Sequence, residues 1–137
     1  MGAECWHNLV YWRYHEYAGV GPGAHGRLLV DGKRHATATE KRPESWLMRV
    51  EASGHGLVED EALTRAEQAD EFLLMGLRLA EGIDPQRYAA LADHPLDEAR
   101  IASLRGEGFV ESTRDGRLRV TPAGFPILDA VVADLAA

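Results

Sequence analysis

The order of elements written into this 137-residue chain predicts an α+β fold. Three observations carry that expectation. Thr64-Arg65-Ala66-Glu67 is a helix-opening capping box, and an apolar face at helical spacing succeeds it. Asp84-Pro85 and Asp97 are two further helix starts. Two short β-prone runs then flank Thr113-Arg114-Asp115-Gly116, a turn sequence. At 45% apolar and 27% charged residues, the composition suits a globular protein with one ordinary core.

Taken from the beginning, residues 9–20 mix aromatic and branched side chains with few breakers, which predicts extended structure. Gly19, Gly21, Gly23 and Gly26, with Pro22, forbid a regular element there and demand a turn or a close approach. Residues 27–30 and 33–39 are strand candidates around Asp31-Gly32, a dipeptide suited to a tight hairpin. Pro43 tolerates the missing N–H of a first helical turn, so it opens a helix over 44–52 that Gly54 can close.

The helix opened at Thr64 carries Ala69, Phe72, Leu73, Gly76, Leu77 and Ala80 on one face, and Gly82 is its expected stop. A second helix runs from Pro85 to about residue 92. A third runs from Asp97 to Arg105 with Ile101 and Leu104 inward, ended by Gly106 and Gly108. Strands over 109–111 and 117–120 come next, and Thr121-Pro122 is expected to cap a last helix bearing Phe125, Leu128, Val132 and Leu135. Helix, helix, helix, hairpin, helix is a winged-helix-like order, which makes residues 56–137 one small domain and residues 1–55 a separate segment.

Charge divides unevenly. Residues 1–55 carry seven Lys/Arg against six Asp/Glu, and residues 56–137 carry eight Arg against sixteen Asp/Glu, leaving +1 and −8 within the chain's net −7. The acidic half opposes polyanions. The single cysteine, Cys5, excludes an internal disulfide framework. No apolar run approaches the roughly 18 residues that span a bilayer, and no signal peptide is evident, so a reduced cytoplasmic setting is expected.

Two stretches carry chemistry. His7-Asn8-Leu9-Val10-Tyr11-Trp12 is an HNxxYW element, and Gly19-Val20-Gly21-Pro22-Gly23-Ala24-His25-Gly26 is a Gly-rich loop. Together with Glu71-Phe72-Leu73-Leu74-Met75-Gly76-Leu77-Arg78-Leu79 and the closing Leu118-Arg119-Val120-Thr121-Pro122-Ala123-Gly124, they resemble the HemW-like radical-SAM family, relatives of oxygen-independent coproporphyrinogen III oxidase.

The resemblance implies a longer parent of haem and porphyrin metabolism, either a haem chaperone or a porphyrinogen oxidase, whose N-terminal radical-SAM barrel holds a [4Fe–4S] cluster and S-adenosylmethionine. It makes residues 1–55 the last edge of that partial TIM-type barrel plus a connector. Residues 56–137 become a C-terminal domain of the HemN type, acting as a lid or docking domain. It also makes His7 a haem-ligand candidate, since imidazole is a common axial donor, with Tyr11 and Trp12 able to pack on a porphyrin face. Gly21, Gly23 and His25 fall on the side where S-adenosylmethionine binds in the parent.

The family it resembles holds its cluster through three cysteines, and this chain has one, so the chain by itself is expected to hold no cluster, bind no metal and catalyse no reaction. Cys5, His7 and His25 lack zinc-site spacing. His35, His55 and His94 read as solvated side chains, and Arg78 as a surface ion-pair partner of Glu71 and Glu81. Two other readings are a winged-helix nucleic-acid binder and a purely structural interaction domain. The helix that would enter a DNA groove offers Arg100 and Arg105 against Asp97, Glu98 and Glu107, which disfavours the first. Residues 56–137 are accordingly expected to leave duplex DNA unbound at physiological salt, weaker than the roughly 10⁻⁴ to 10⁻⁶ M of non-specific binders. Fluorescence anisotropy checks this, and salt-sensitive micromolar binding would restore the DNA reading.

Overall fold

The computed structural model describes residues 5–137. In chain order the elements are α1 (Trp6–Trp12), β1 (His25–Val30), β2 (Lys33–Thr39), α2 (Pro43–Ser53), β3 (Leu57–Ala62), α3 (Arg65–Gly76), α4 (Pro85–Ala92), α5 (Glu98–Gly106), β4 (Val110–Ser112), β5 (Leu118–Val120), a 3₁₀ turn (Phe125–Ile127) and α6 (Leu128–Ala136). They form two compact units. One joins the segment ending at Tyr14 to Thr64–Ala137, and the other is His15–Leu63. This division differs from a break at 55/56 because β3 pairs with β2, which keeps residues 57–63 with the sheet.

The sheet unit is antiparallel, in the order β1-β2-β3. Its β1–β2 hairpin turns at Asp31 and Gly32 as expected, pairing Val30 with Lys33. The helix α2 connects β2 to β3, and its Trp46 ring lies against Gly56 where any Cβ would collide with it. The strand β3, Leu-Val-Glu-Asp-Glu-Ala, was not foreseeable from periodicity. All but its first residue are exposed, so no alternation marks it.

In the other unit, Thr64 caps α3 through the full reciprocal pair. The Glu67 N–H donates to Thr64 Oγ1 at 3.2 Å, and the Thr64 N–H donates to Glu67 Oε2 at 2.8 Å. Ala69, Phe72, Leu73 and Gly76 are buried along the expected face. The helix, however, ends at Gly76 and not at Gly82. Beyond Leu77 the backbone tightens into three-residue spans, Leu79 N–H to Gly76 O at 3.1 Å and Gly82 N–H to Leu79 O at 3.0 Å. This bend buries Leu77 and Leu79 and brings Ile83 over Gly76, whose missing Cβ leaves the space. Ile83 then exchanges backbone hydrogen bonds with Leu118 of β5, at 2.8 and 2.9 Å.

Asp84 and Asp97 cap α4 and α5 as their positions predict. Leu73, Leu77, Ile83, Val110 and Val131 are the most completely buried side chains, with Ile101, Leu104 and Leu135 in the same cluster. The last helix departs from expectation. The Thr121 hydroxyl donates to the Gly108 carbonyl and accepts the Gly124 N–H at 3.2 Å, so it caps only a short turn, and the chain passes through the 3₁₀ turn before α6 begins at Leu128. Phe125 is left exposed. No helix among the described residues is long and apolar enough to cross a membrane.

The largest correction concerns residues 9–20. Residues 9–12 are not extended: α1 covers Trp6–Trp12, opened by the Leu9 N–H to Cys5 O bond at 3.1 Å. Aromatic and branched side chains favour strands weakly, and packing against α3 overrides that preference. After the helix, Tyr14 adopts a left-handed backbone, and Tyr17 pairs with Arg27 across two 2.9 Å bonds.

Removing the cap with Thr64→Ala should lower stability by about 1 kcal/mol in urea unfolding. The hydrogen bonds from Thr64 hold the Glu67 carboxyl below its ordinary range, so its contribution is present above the unfolded-state value and lost as pH falls through the lower folded one; α3 amide exchange against pH reports it. Gly82 has φ +68° and faces the Leu118 carbonyl with no room for a Cβ, whereas Gly116, at φ +81°, faces open space. Gly116→Ala should therefore cost about 1 kcal/mol and Gly82→Ala about 2 kcal/mol or more, compared by the same unfolding measurement.

Candidate functional site

The HNxxYW element lies on the half-buried helix α1. Its first turn leaves His7 exposed, and Tyr11, four residues on, meets the His7 ring edge-on at a centroid distance of 5.4 Å and an interplanar angle of 82°. One helical turn separates positions i and i+4, so the helix itself brings these two rings together. Trp12 is half-buried at the far end. The imidazole is thus an accessible nitrogen donor with aromatic surface beside it.

Arg13 and Tyr14, directly after Trp12, tie this helix to the rest of its unit. Tyr14 is only 3% exposed, and its hydroxyl donates to Glu71 Oε2 of α3 at 2.7 Å. Its ring meets Phe72 edge-on at 6.3 Å. Arg87 of α4 donates from Nη1 to the Arg13 carbonyl at 2.6 Å and from Nη2 to the Tyr14 carbonyl at 3.0 Å. Its guanidinium lies 5.2 Å from the Phe72 ring centre, a cation–π distance. Arg13 grips Glu81 through both carboxylate oxygens, at 2.9 and 3.2 Å.

Arg78 does not make the expected ion pairs. Glu71 accepts from Tyr14, Glu81 pairs with Arg13, and Arg78 Nε donates to the Leu74 carbonyl at 3.1 Å. Helical spacing brings Arg78 within reach of those carboxylates, but it says nothing of residues 57 to 68 positions away. Tyr14, Glu71 and Arg87 escape a reading of the sequence for the same reason. The only local signal is a second aromatic and an arginine directly after the HNxxYW element.

The Gly-rich loop belongs to the sheet unit, whereas His7 belongs to the other. Gly21 and Gly23 have φ of +87° and +66°, which explains the glycines as backbone requirements of the turn. Thr39 organises it: its hydroxyl donates to the Gly21 carbonyl at 2.7 Å and accepts from the Ala24 N–H at 2.8 Å. The Gly23 N–H donates to Glu40 O at 2.9 Å. Two of the loop's N–H groups are therefore engaged by its own fold. His25 is exposed at the start of β1.

The remaining histidines singled out in the sequence have partners within the fold. His35 Nδ1 lies 2.7 Å from Asp60 Oδ1, His55 Nδ1 accepts the Leu57 N–H at 3.2 Å, and His94 packs edge-on against Tyr88 at 6.0 Å. Burial raises the Tyr88 hydroxyl pKa, and Asp70 adds to the effect. Among the described residues, no three His, Cys, Asp or Glu side chains are grouped closely enough to hold a metal ion. A [4Fe–4S] cluster does not fit this chain, whose one thiol is Cys5, whereas α1 presents one accessible imidazole beside an aromatic ring.

Residues 63–127 match the HemN C-terminal domain, and they cover α3 through the 3₁₀ turn with Glu71, Phe72, Glu81 and Arg87. The chain is 34% identical over 136 residues to the mitochondrial radical S-adenosyl methionine domain-containing protein 1 of Danio rerio, covering 92% of this chain and 30% of that protein. It is 32% identical over 88 residues to the heme chaperone HemW of Haemophilus influenzae, covering 64% and 22%. The solved coproporphyrinogen III oxidase (HemN) of Escherichia coli, a radical-SAM enzyme, superposes with a TM-score of 0.60 over 90% of this chain and 29% of that one, at 18% identity, a likeness of fold. The chain spans about a third or less of the length of these proteins. By sequence match, domain and fold together, it belongs with the HemW- and HemN-like radical-SAM proteins, and residues 63–127 are its HemN C-terminal domain.

Proposed function

We propose that this chain is the haem-handling C-terminal part of a HemW-like radical-SAM protein, with His7 as the axial ligand to a haem cargo and Tyr11 and Trp12 packing on the porphyrin. The observation that carries the proposal is the exposed His7 imidazole with the Tyr11 ring beside it at 5.4 Å, on the helix formed by the HNxxYW element. The HemW relatives named heme chaperones support the chaperone side over porphyrinogen oxidation.

In the whole protein, the sheet unit then continues the edge of the barrel, with Gly21, Gly23 and His25 toward the side where S-adenosylmethionine is held. The unit containing α3 to α6 serves as a lid or docking domain of winged-helix-like arrangement. The cluster and S-adenosylmethionine belong to residues outside those of this chain. A reduced compartment suits the exposed Cys5 thiol.

Titration of the chain with haem, followed in the Soret band, tests the ligand. His7→Ala should weaken binding about tenfold or more, while His25→Ala and His94→Ala leave it unchanged. Equal affinities across the three variants would return His7 to an ordinary surface side chain.

A further inference from the structure

The helix α1 has seven residues, too few to persist alone in water, so something outside it must hold its shape and direction. Its C-terminal end concentrates unpaired carbonyls and the negative end of the helix dipole, which favour a cation placed there. Arg87, 74 positions along the chain from Arg13, supplies one. Its forked guanidinium donates to the carbonyls of Arg13 and Tyr14, the residues where the chain reverses out of the helix.

That reversal is unfavourable by itself, because Tyr14 sits at φ +58°. Three contacts hold it: Arg87 on the carbonyl, Glu71 on the hydroxyl, and Phe72 against the ring. Arg87 is fixed in turn by Phe72 beneath its guanidinium and by the first turn of α4, where its N–H donates to Asp84 O at 3.1 Å. The direction of α1, and with it the aim of His7 and Tyr11, is thus read out from α3 and α4.

We infer that Arg87 is a positioning residue for the His7–Tyr11 face, clamping the Arg13–Tyr14 reversal so that the HemN C-terminal domain dictates how α1 presents its imidazole. The haem half of this inference rests on His7 being the haem ligand. The seating half stands by itself. The guanidinium matters for its shape as well as its charge, since an ammonium offers no planar fork to span two carbonyls at once.

The test uses the 137-residue chain with Arg87→Ala, Arg87→Lys, His7→Ala and the Arg87→Ala/His7→Ala pair, and Ile101→Val as a core variant on α5. Amide exchange over residues 6–14 is measured beside that of α5 and α6. Arg87→Ala should speed exchange in 6–14 about tenfold or more while α5 and α6 keep their protection. Arg87→Lys should restore part of the loss, and Ile101→Val should leave 6–14 unchanged. In haem titrations Arg87→Ala should weaken binding about tenfold, and the double variant should bind no worse than His7→Ala, because the clamp acts through that imidazole.

Unchanged exchange in 6–14, or equal acceleration throughout the unit, would overturn the seating role. Additive haem losses in the double variant would overturn action through His7. If His7→Ala alone leaves haem binding intact, the ligand reading and the haem half fall together, and the exchange result still decides whether Arg87 seats α1.

Discussion

The fork of Arg87 across the carbonyls of Arg13 and Tyr14 is the contact on which the seating of α1 depends, because the helical unit is assembled from two separated pieces of chain. Its first piece ends at Tyr14, and the remainder begins at Thr64. The chain between them runs through the sheet unit, so closeness in sequence does not hold a seven-residue helix against α3 and α4. Side-chain chemistry must do so, and closing a loop of that length carries an entropic penalty that grows only slowly with its size. A buried tyrosine, a bridging arginine and a carboxylate are a reasonable offset. Hydrogen bonds to charged groups contribute more than neutral ones, and here both a guanidinium and a carboxylate take part.

The same economy of space governs the interior. Gly76 and Gly82 bracket the bend that ends α3, one vacating room for Ile83 and the other letting backbone meet backbone at Leu118. Between them Leu77 and Leu79 turn inward. A continuous helix to Gly82 would have preserved regular hydrogen bonding but carried Leu79 and Ile83 along a different track. Burial of two large side chains outweighs the poorer geometry of two three-residue turns, since a fully buried Leu or Ile is worth about 1.5–3 kcal/mol.

What could be read from the sequence was what short-range chemistry determines. Thr64 with Glu67, Asp84 with Pro85, Asp97, and the Asp31-Gly32 hairpin each signal themselves within four residues, and each forms as its pattern requires. The features that escaped are those decided at a distance. Residues 6–12 have strand-like composition and become helical through packing on α3. Thr121 is a good cap by type, yet the turn it caps through the Gly124 N–H is short, and α6 itself starts only at Leu128. In the candidate site, His7, Tyr11 and Trp12 were visible as a motif, and their helical spacing and the Tyr14–Glu71–Arg87 seat were not. Residues separated by 57 and 73 positions leave no periodic trace.

The strand β3 ends the sheet on one side, and its three central side chains, Glu59, Asp60 and Glu61, are consecutive acids exposed to solvent. A sheet edge presents unpaired N–H and C=O groups to any passing strand, and edge-to-edge growth is the usual route by which β proteins coalesce. Two copies approaching along this edge would set one acidic run against another. The strand that gave no alternating signal thus acts as a guard rail, trading apolar contacts for repulsion that keeps neighbouring copies of the sheet from zipping together.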